Sequence, residues 1–111
     1  MIGRVLEFKR KSGIICSQQI LRNNAAYLKS TYHSMYKAKM LKDIEKSDWD
    51  RFITNVNGHF TSQIKASKKT FGNKTYKVEK KWAYFISNLE RAYATKKDHR
   101  VRDTFYYMNF V

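Results

Sequence analysis

The stretch Ser47 to Lys69, SDWDRFITNVNGHFTSQIKASKK, decides the fold, because its apolar residues keep one period from end to end. Trp49, Phe52, Ile53, Val56, Phe60 and Ile64 recur at three- and four-residue steps. On a 3.6-residue repeat that gathers them within about 100° of one face. Arg51, Gly58, Ser62, Lys65 and Lys69 fall on the other side, so one face is a core seam and the other a solvated surface. Ser47 and Asp50 have the spacing of a capping box, and Asp48 adds negative charge where a helix is electropositive. Lys65, Lys68 and Lys69 supply the complementary cations at the far end. Asn57-Gly58 inside this stretch is a turn-favouring pair, but the apolar residues stay in phase across it, so the helix is kept over 47–69.

Outward from this helix, the same period reappears twice. Ser17 is placed as the N-cap of a first helix over 17–44, with Leu21, Ala25, Leu28, Tyr32, Met35 and Tyr36 as its buried stripe. Beyond Tyr36 the pattern drifts, which points to a bend or an early end. A third helix is expected over 75–97, capped by Thr75 after the loop TFGNKT with its Gly72-Asn73 turn. Val78, Trp82, Phe85, Ile86, Leu89 and Tyr93 share its inner side, while Lys77, Lys81, Tyr84, Asn88 and Arg91 share the outer one. Short connections make consecutive helices antiparallel. Residues 1–16 read as a β-hairpin, two apolar runs around the basic KRKSG turn. Residues 98–111 are rich in Phe and Tyr, and either pair with that hairpin as a strand or form a fourth short helix. The expected architecture is therefore mainly α: a three-helix antiparallel bundle with an N-terminal β-hairpin and an aromatic C-terminal segment, all in one domain.

The spacing of Gly3, Val5, Phe8 and Gly13 resembles the opening of a cold-shock domain. Glu7 stands where that family carries a stacking aromatic, and the family's second RNA-binding aromatic cluster has no counterpart, so none of its residues is carried over.

Composition narrows the partner more than the chemistry. Twenty-three Lys and Arg face nine Asp and Glu, a formal charge of +14, which is the footprint of a polyanion binder. Hydrophobic residues are 42% of the chain, enough for a core, so this charge does not imply disorder. The charge is also blocked: no carboxylate occurs between Phe8 and Lys42, nor between Arg51 and Val78. Lys65, Lys68, Lys69, Lys74, Lys77, Lys80 and Lys81 gather around one helix-to-helix corner, with Tyr84 and Arg91 further along the third helix. Lysines are point charges suited to phosphate, and Tyr84 offers a ring to stack on a base. Arg4, Lys9, Arg10 and Lys11 form a possible second arm.

Enzymatic signatures are missing. The single Cys16 cannot make an internal disulfide, and His33, His59 and His99 lie too far apart for a local metal motif. The four glycines are isolated, which excludes a phosphate-cradling glycine loop. Only His99, Arg100, Arg102 and Tyr106 carry the residue types for metal-independent RNA cleavage, at a spacing that is not diagnostic. No signal peptide or membrane span is apparent, so a cytoplasmic protein without a cofactor or metal is expected. The reading that results is a non-catalytic DNA- or RNA-binding protein, an accessory of a larger nucleoprotein complex. The alternative is a protein-interaction module, such as a phage- or plasmid-type inhibitor docking on a host protein through its basic face and C-terminal aromatics. The ribonuclease is a remote third.

Overall fold

A computed structural model describes the backbone of residues 2–109 and the side chains of residues 18–69, 72 and 75–109. Among the described residues four helices follow one another: α1 (Ile2–Tyr36), α2 (Lys46–Phe71), α3 (Tyr76–Thr95) and α4 (Asp98–Met108). Among the described residues there is no strand. Two expectations are corrected by this. Residues 2–16, read as a hairpin, are the first turns of α1, and the bundle has four helices, not three. An isolated two-stranded hairpin is marginal without further strands, whereas extending an existing helix needs no new nucleus, and Gly13 costs only about 1 kcal/mol inside it.

The central helix is as expected in its buried face: Trp49, Phe52, Ile53, Val56, Phe60 and Ile64 are all buried. Its start is not. α2 begins at Lys46 with Glu45 as N-cap and no side-chain cap bond, so Ser47 is already inside the helix and the Ser47–Asp50 capping box does not form. The helix continues through Asn57-Gly58, and Asn57 gains a structural use there, its Oδ1 accepting the Trp82 Nε1–H at 2.8 Å. Gly72 ends α2 with φ +60°, a conformation glycine adopts without steric cost.

α1 stops at Tyr36, well short of residue 44. Met35, placed on the buried stripe, is exposed. The chain then makes a 3-10 turn over Leu41–Asp43 that buries Leu41 and Ile44. This connection is pinned from the opposite side of the bundle. Asp98 Oδ1 accepts the Leu41 N–H at 2.8 Å, and the Tyr93 hydroxyl donates to the Ile44 carbonyl at 2.9 Å. Thr75 stands at the N-cap position of α3 as expected, but it makes no side-chain cap bond and has helical dihedrals, because the 3-10 turn Gly72–Thr75 runs straight into the helix.

Cross-helix pairs show the antiparallel order. Tyr36 donates to the Asp48 carbonyl near one end of the α1–α2 seam, and Asn24 meets His59 and Gln63 further along. α2 and α3 are held by two ring stacks, Trp49 on Tyr93 at 4.7 Å and Phe60 on Trp82 at 4.5 Å. The C-terminal segment is the short-helix alternative. Val101, Thr104, Phe105 and Met108, at i, i+3, i+4 and i+7, form its buried face, and Phe105 packs edge-on against Tyr32 of α1. That packing overrides the strand propensity of Phe and Tyr.

Candidate nucleic-acid interface

Burial of Ile64 and Ser67 in the last turns of α2 sets a helical phase that turns Lys65, Lys68 and Lys69 to solvent. Burial of Val78 and Trp82 does the same for Lys77, Lys80 and Lys81 at the start of α3. All six are exposed, as are Tyr84 and Arg91. The side chains of Lys74 and of Arg4, Lys9, Arg10 and Lys11 lie outside the described residues.

One carboxylate enters this cluster. Glu79 pairs with Lys68 at 3.0 Å and accepts the Thr75 hydroxyl at 2.8 Å. The Thr75 hydrogen bond, with the bond and charge of Lys68 acting the same way against partial burial, holds the Glu79 carboxyl below the ordinary glutamate range. Lys68 is thereby neutralised. Among the described residues Lys65, Lys69, Lys77 and Lys81 form no ion pair. Lys80 lies 5.3 Å from the centre of the exposed Tyr76 ring, a cation–π approach that leaves its charge intact.

The lysines do not form a single face. At about 100° per residue, Glu79 and Lys77 stand about 160° apart around α3. Lys65 and Lys68 share with Glu79 a cleft of about 400 Å3 between α2 and α3, floored by Phe60 and Trp82. Trp82 is buried, stacked and hydrogen-bonded there, so it is not offered for stacking on a base. Lys77 and Lys81 instead begin the other flank of α3, continued by Tyr84, Asn88 and Arg91.

α4 distributes the His99, Arg100, Arg102 and Tyr106 group around its circumference. Arg100 lines a crevice against α3, while Arg102 lines a separate one with Tyr32 and His33 of α1. His99 and Tyr106 are exposed between them, so the four do not meet in one cleft. The histidines are also dispersed: His59 bonds to Asn24, His33 sits beside Phe105, and His99 faces solvent. No group of three potential metal ligands occurs among the described residues. Of the C-terminal aromatics, Phe105 is core, Tyr106 and Tyr107 are exposed, and Phe110 lies outside the described residues.

Two features escaped the sequence reading. Arg100, Asp103 and Tyr107 share the α3-facing flank of α4, a spacing of i, i+3, i+7 that becomes visible only once the segment is taken as a helix. Asn24 is a buried polar residue in an apolar stripe, for which the sequence offered no partner.

The fold and site define a basic, antiparallel four-helix chain with an exposed lysine corner. No protein-family model matches it, and no curated protein or solved structure matches it either. Among the described residues no helix is long and apolar enough to cross a membrane.

Proposed function

We propose that this protein binds nucleic acid without catalysing a reaction, holding the phosphate backbone through Lys65, Lys69, Lys77, Lys80 and Lys81. The observation that carries the reading is the concentration of unneutralised charge: between Lys65 and Lys81 seven lysines face Glu79 alone, a formal +6 of the chain's +14. The other positive stretch, residues 1–42, spreads its cations over a longer run, and between the two Asp43, Glu45, Asp48 and Asp50 outnumber Lys46 and Arg51. A field of this kind attracts a polyanion and gives little sequence discrimination.

The test is the salt dependence of binding. Lys65, Lys69, Lys77 and Lys81 are replaced by glutamine together, and Lys68 is kept because it pairs with Glu79. Each phosphate contact contributes about 0.9 to the slope of log affinity against log salt on duplex DNA and about 0.7 on single strands. The variant is expected to keep its helical circular dichroism and to lose a slope of about 3. An unchanged slope removes these lysines from the interface.

A second reading, docking on a protein, is supported by the exposed neighbours Tyr106 and Tyr107 on α4. Capture of a partner that survives nuclease treatment and is lost on replacing Tyr107 by serine would favour it.

A further inference from the structure

The outer flank of α3 does not end in solvent. Its last two members, Asn88 and Arg91, line a crevice of about 170 Å3 whose other wall is Arg100, Asp103, Thr104 and Tyr107 of α4. The Thr104 hydroxyl is engaged by the Arg100 carbonyl at 2.8 Å, so the wall it makes is chemically quiet. What remains is two guanidiniums that only donate, one carboxylate that only accepts, an amide that does both, and a phenol. Among the described residues Asp103 forms no ion pair with either arginine. Charges of both signs line one small crevice without neutralising each other.

That mixture suits a neutral planar group better than a phosphate. A phosphate would meet Asp103 acceptor to acceptor. Guanine offers two adjacent donors, N1–H and the N2 amino group, which a carboxylate accepts side by side, and on its other edge O6 and N7, which a guanidinium donates to. Size agrees: sites for drug-sized ligands start at about 300 Å3, so the crevice admits one base and not a whole nucleotide cofactor. Tyr107, 60% exposed, supplies a π-face at the rim. In a duplex the N1 and N2 edge of guanine is occupied by pairing, so only an unpaired base presents it.

We propose that the crevice between α3 and α4 receives an unpaired guanine of a single strand whose phosphates follow Lys77 and Lys81. The inference rests on the backbone-binding reading above, and its test separates the two. Fluorescence anisotropy is measured with a labelled oligouridine of about ten nucleotides, the same strand with one central guanosine, and the same strand with inosine there, which lacks the N2 amine. One guanosine is expected to tighten binding about tenfold, and inosine to recover only part of that gain. Asp103→Asn, at an exposed position, brings the guanosine strand down to the level of oligouridine, while Lys77→Gln with Lys81→Gln weakens both strands alike. If no strand binds at all, the backbone reading fails and takes this one with it. Equal binding of the uridine and guanosine strands, or a preference that survives Asp103→Asn, overturns the guanine crevice and leaves the backbone reading standing. Guanosine monophosphate competing as well as the strand would keep the guanine chemistry and overturn the single strand as its source.

Discussion

Replacing Asn24 by alanine tests the seam between α1 and α2. Asn24 is fully buried between Leu21 and Leu28, and it uses every polar hydrogen it has. Its Nδ2 donates to the Ile20 carbonyl at 2.8 Å and to Gln63 Oε1 at 2.7 Å, which leaves Oδ1 as an acceptor. The 2.7 Å contact from His59 Nδ1 to that oxygen therefore requires the proton to sit on Nδ1. Tyr27 stacks on the same imidazole at 4.4 Å. Alanine removes two cross-helix hydrogen bonds at about 1 kcal/mol each and leaves a void where the amide was, so the expected loss is about 3 kcal/mol. For 111 residues an unfolding entropy of about 2.1 cal/mol/K per residue converts this to a fall in Tm of about 13 °C. The sharper measurement is a double-mutant cycle by urea unfolding of Asn24→Ala, His59→Ala and the pair. A coupling of about 1 kcal/mol is expected. A coupling near zero, or an alanine variant no weaker than a surface substitution at about 0.5 kcal/mol, would show that the network does not hold the helices together.

The two glycines around the lysine corner should respond in opposite directions. A methyl group at Gly58 meets nothing within 4 Å and the residue is helical, so Gly58→Ala is expected to stabilise by about 1 kcal/mol; at Gly72 the space is equally open but φ is +60° with ψ -134°, and alanine is expected to destabilise by more than that. Thermal unfolding that moves the same way in both would refute the backbone argument. Tyr36 supplies the pH test. Burial first, then the nearby Asp48, pushes its phenol up to about 12 from an ordinary 10.0. Its contribution is therefore intact below pH 10, where the unfolded phenol is still protonated, and is lost as pH rises toward 12. Tyr36→Phe, which forfeits the 2.8 Å bond to the Asp48 carbonyl, is expected to cost about 1 kcal/mol at neutral pH, and the deficit should shrink across that alkaline window. A gap that widens there would contradict the sign.

α2 and α3 were legible because large apolar side chains mark every turn of their inner faces, and a 3.6-residue phase carried by Trp, Phe and Ile has no competing explanation. The ends of the chain were not, for two different reasons. Residues 2–16 hold the composition of a hairpin, but the choice between hairpin and helix lies in what they are joined to, and they are joined to a helix already nucleated. In α4 the stripe is disguised by Thr104, which occupies a core position while satisfying its hydroxyl on the Arg100 carbonyl. Asn24 hides part of α1 in the same way. Polar residues that solve their own hydrogen bonding are invisible to a hydrophobic period.

The site was legible as charge and illegible as shape, and the difference bears on what can bind. Lys68 and Glu79 are eleven residues apart on different helices, so their pairing, which takes one lysine out of the patch, belongs to the fold alone. The same packing sends Lys65 toward the α2–α3 cleft and Lys77 and Lys81 to a flank about 160° from Glu79 around α3. A stiff duplex laid on one flank leaves the other lysines uncontacted, whereas a flexible single strand can cross from one to the other. Contact number therefore discriminates where affinity does not: the count of phosphates obtained from the salt slope should be larger for a single strand than for a duplex of the same length, even though each contact contributes less to the slope.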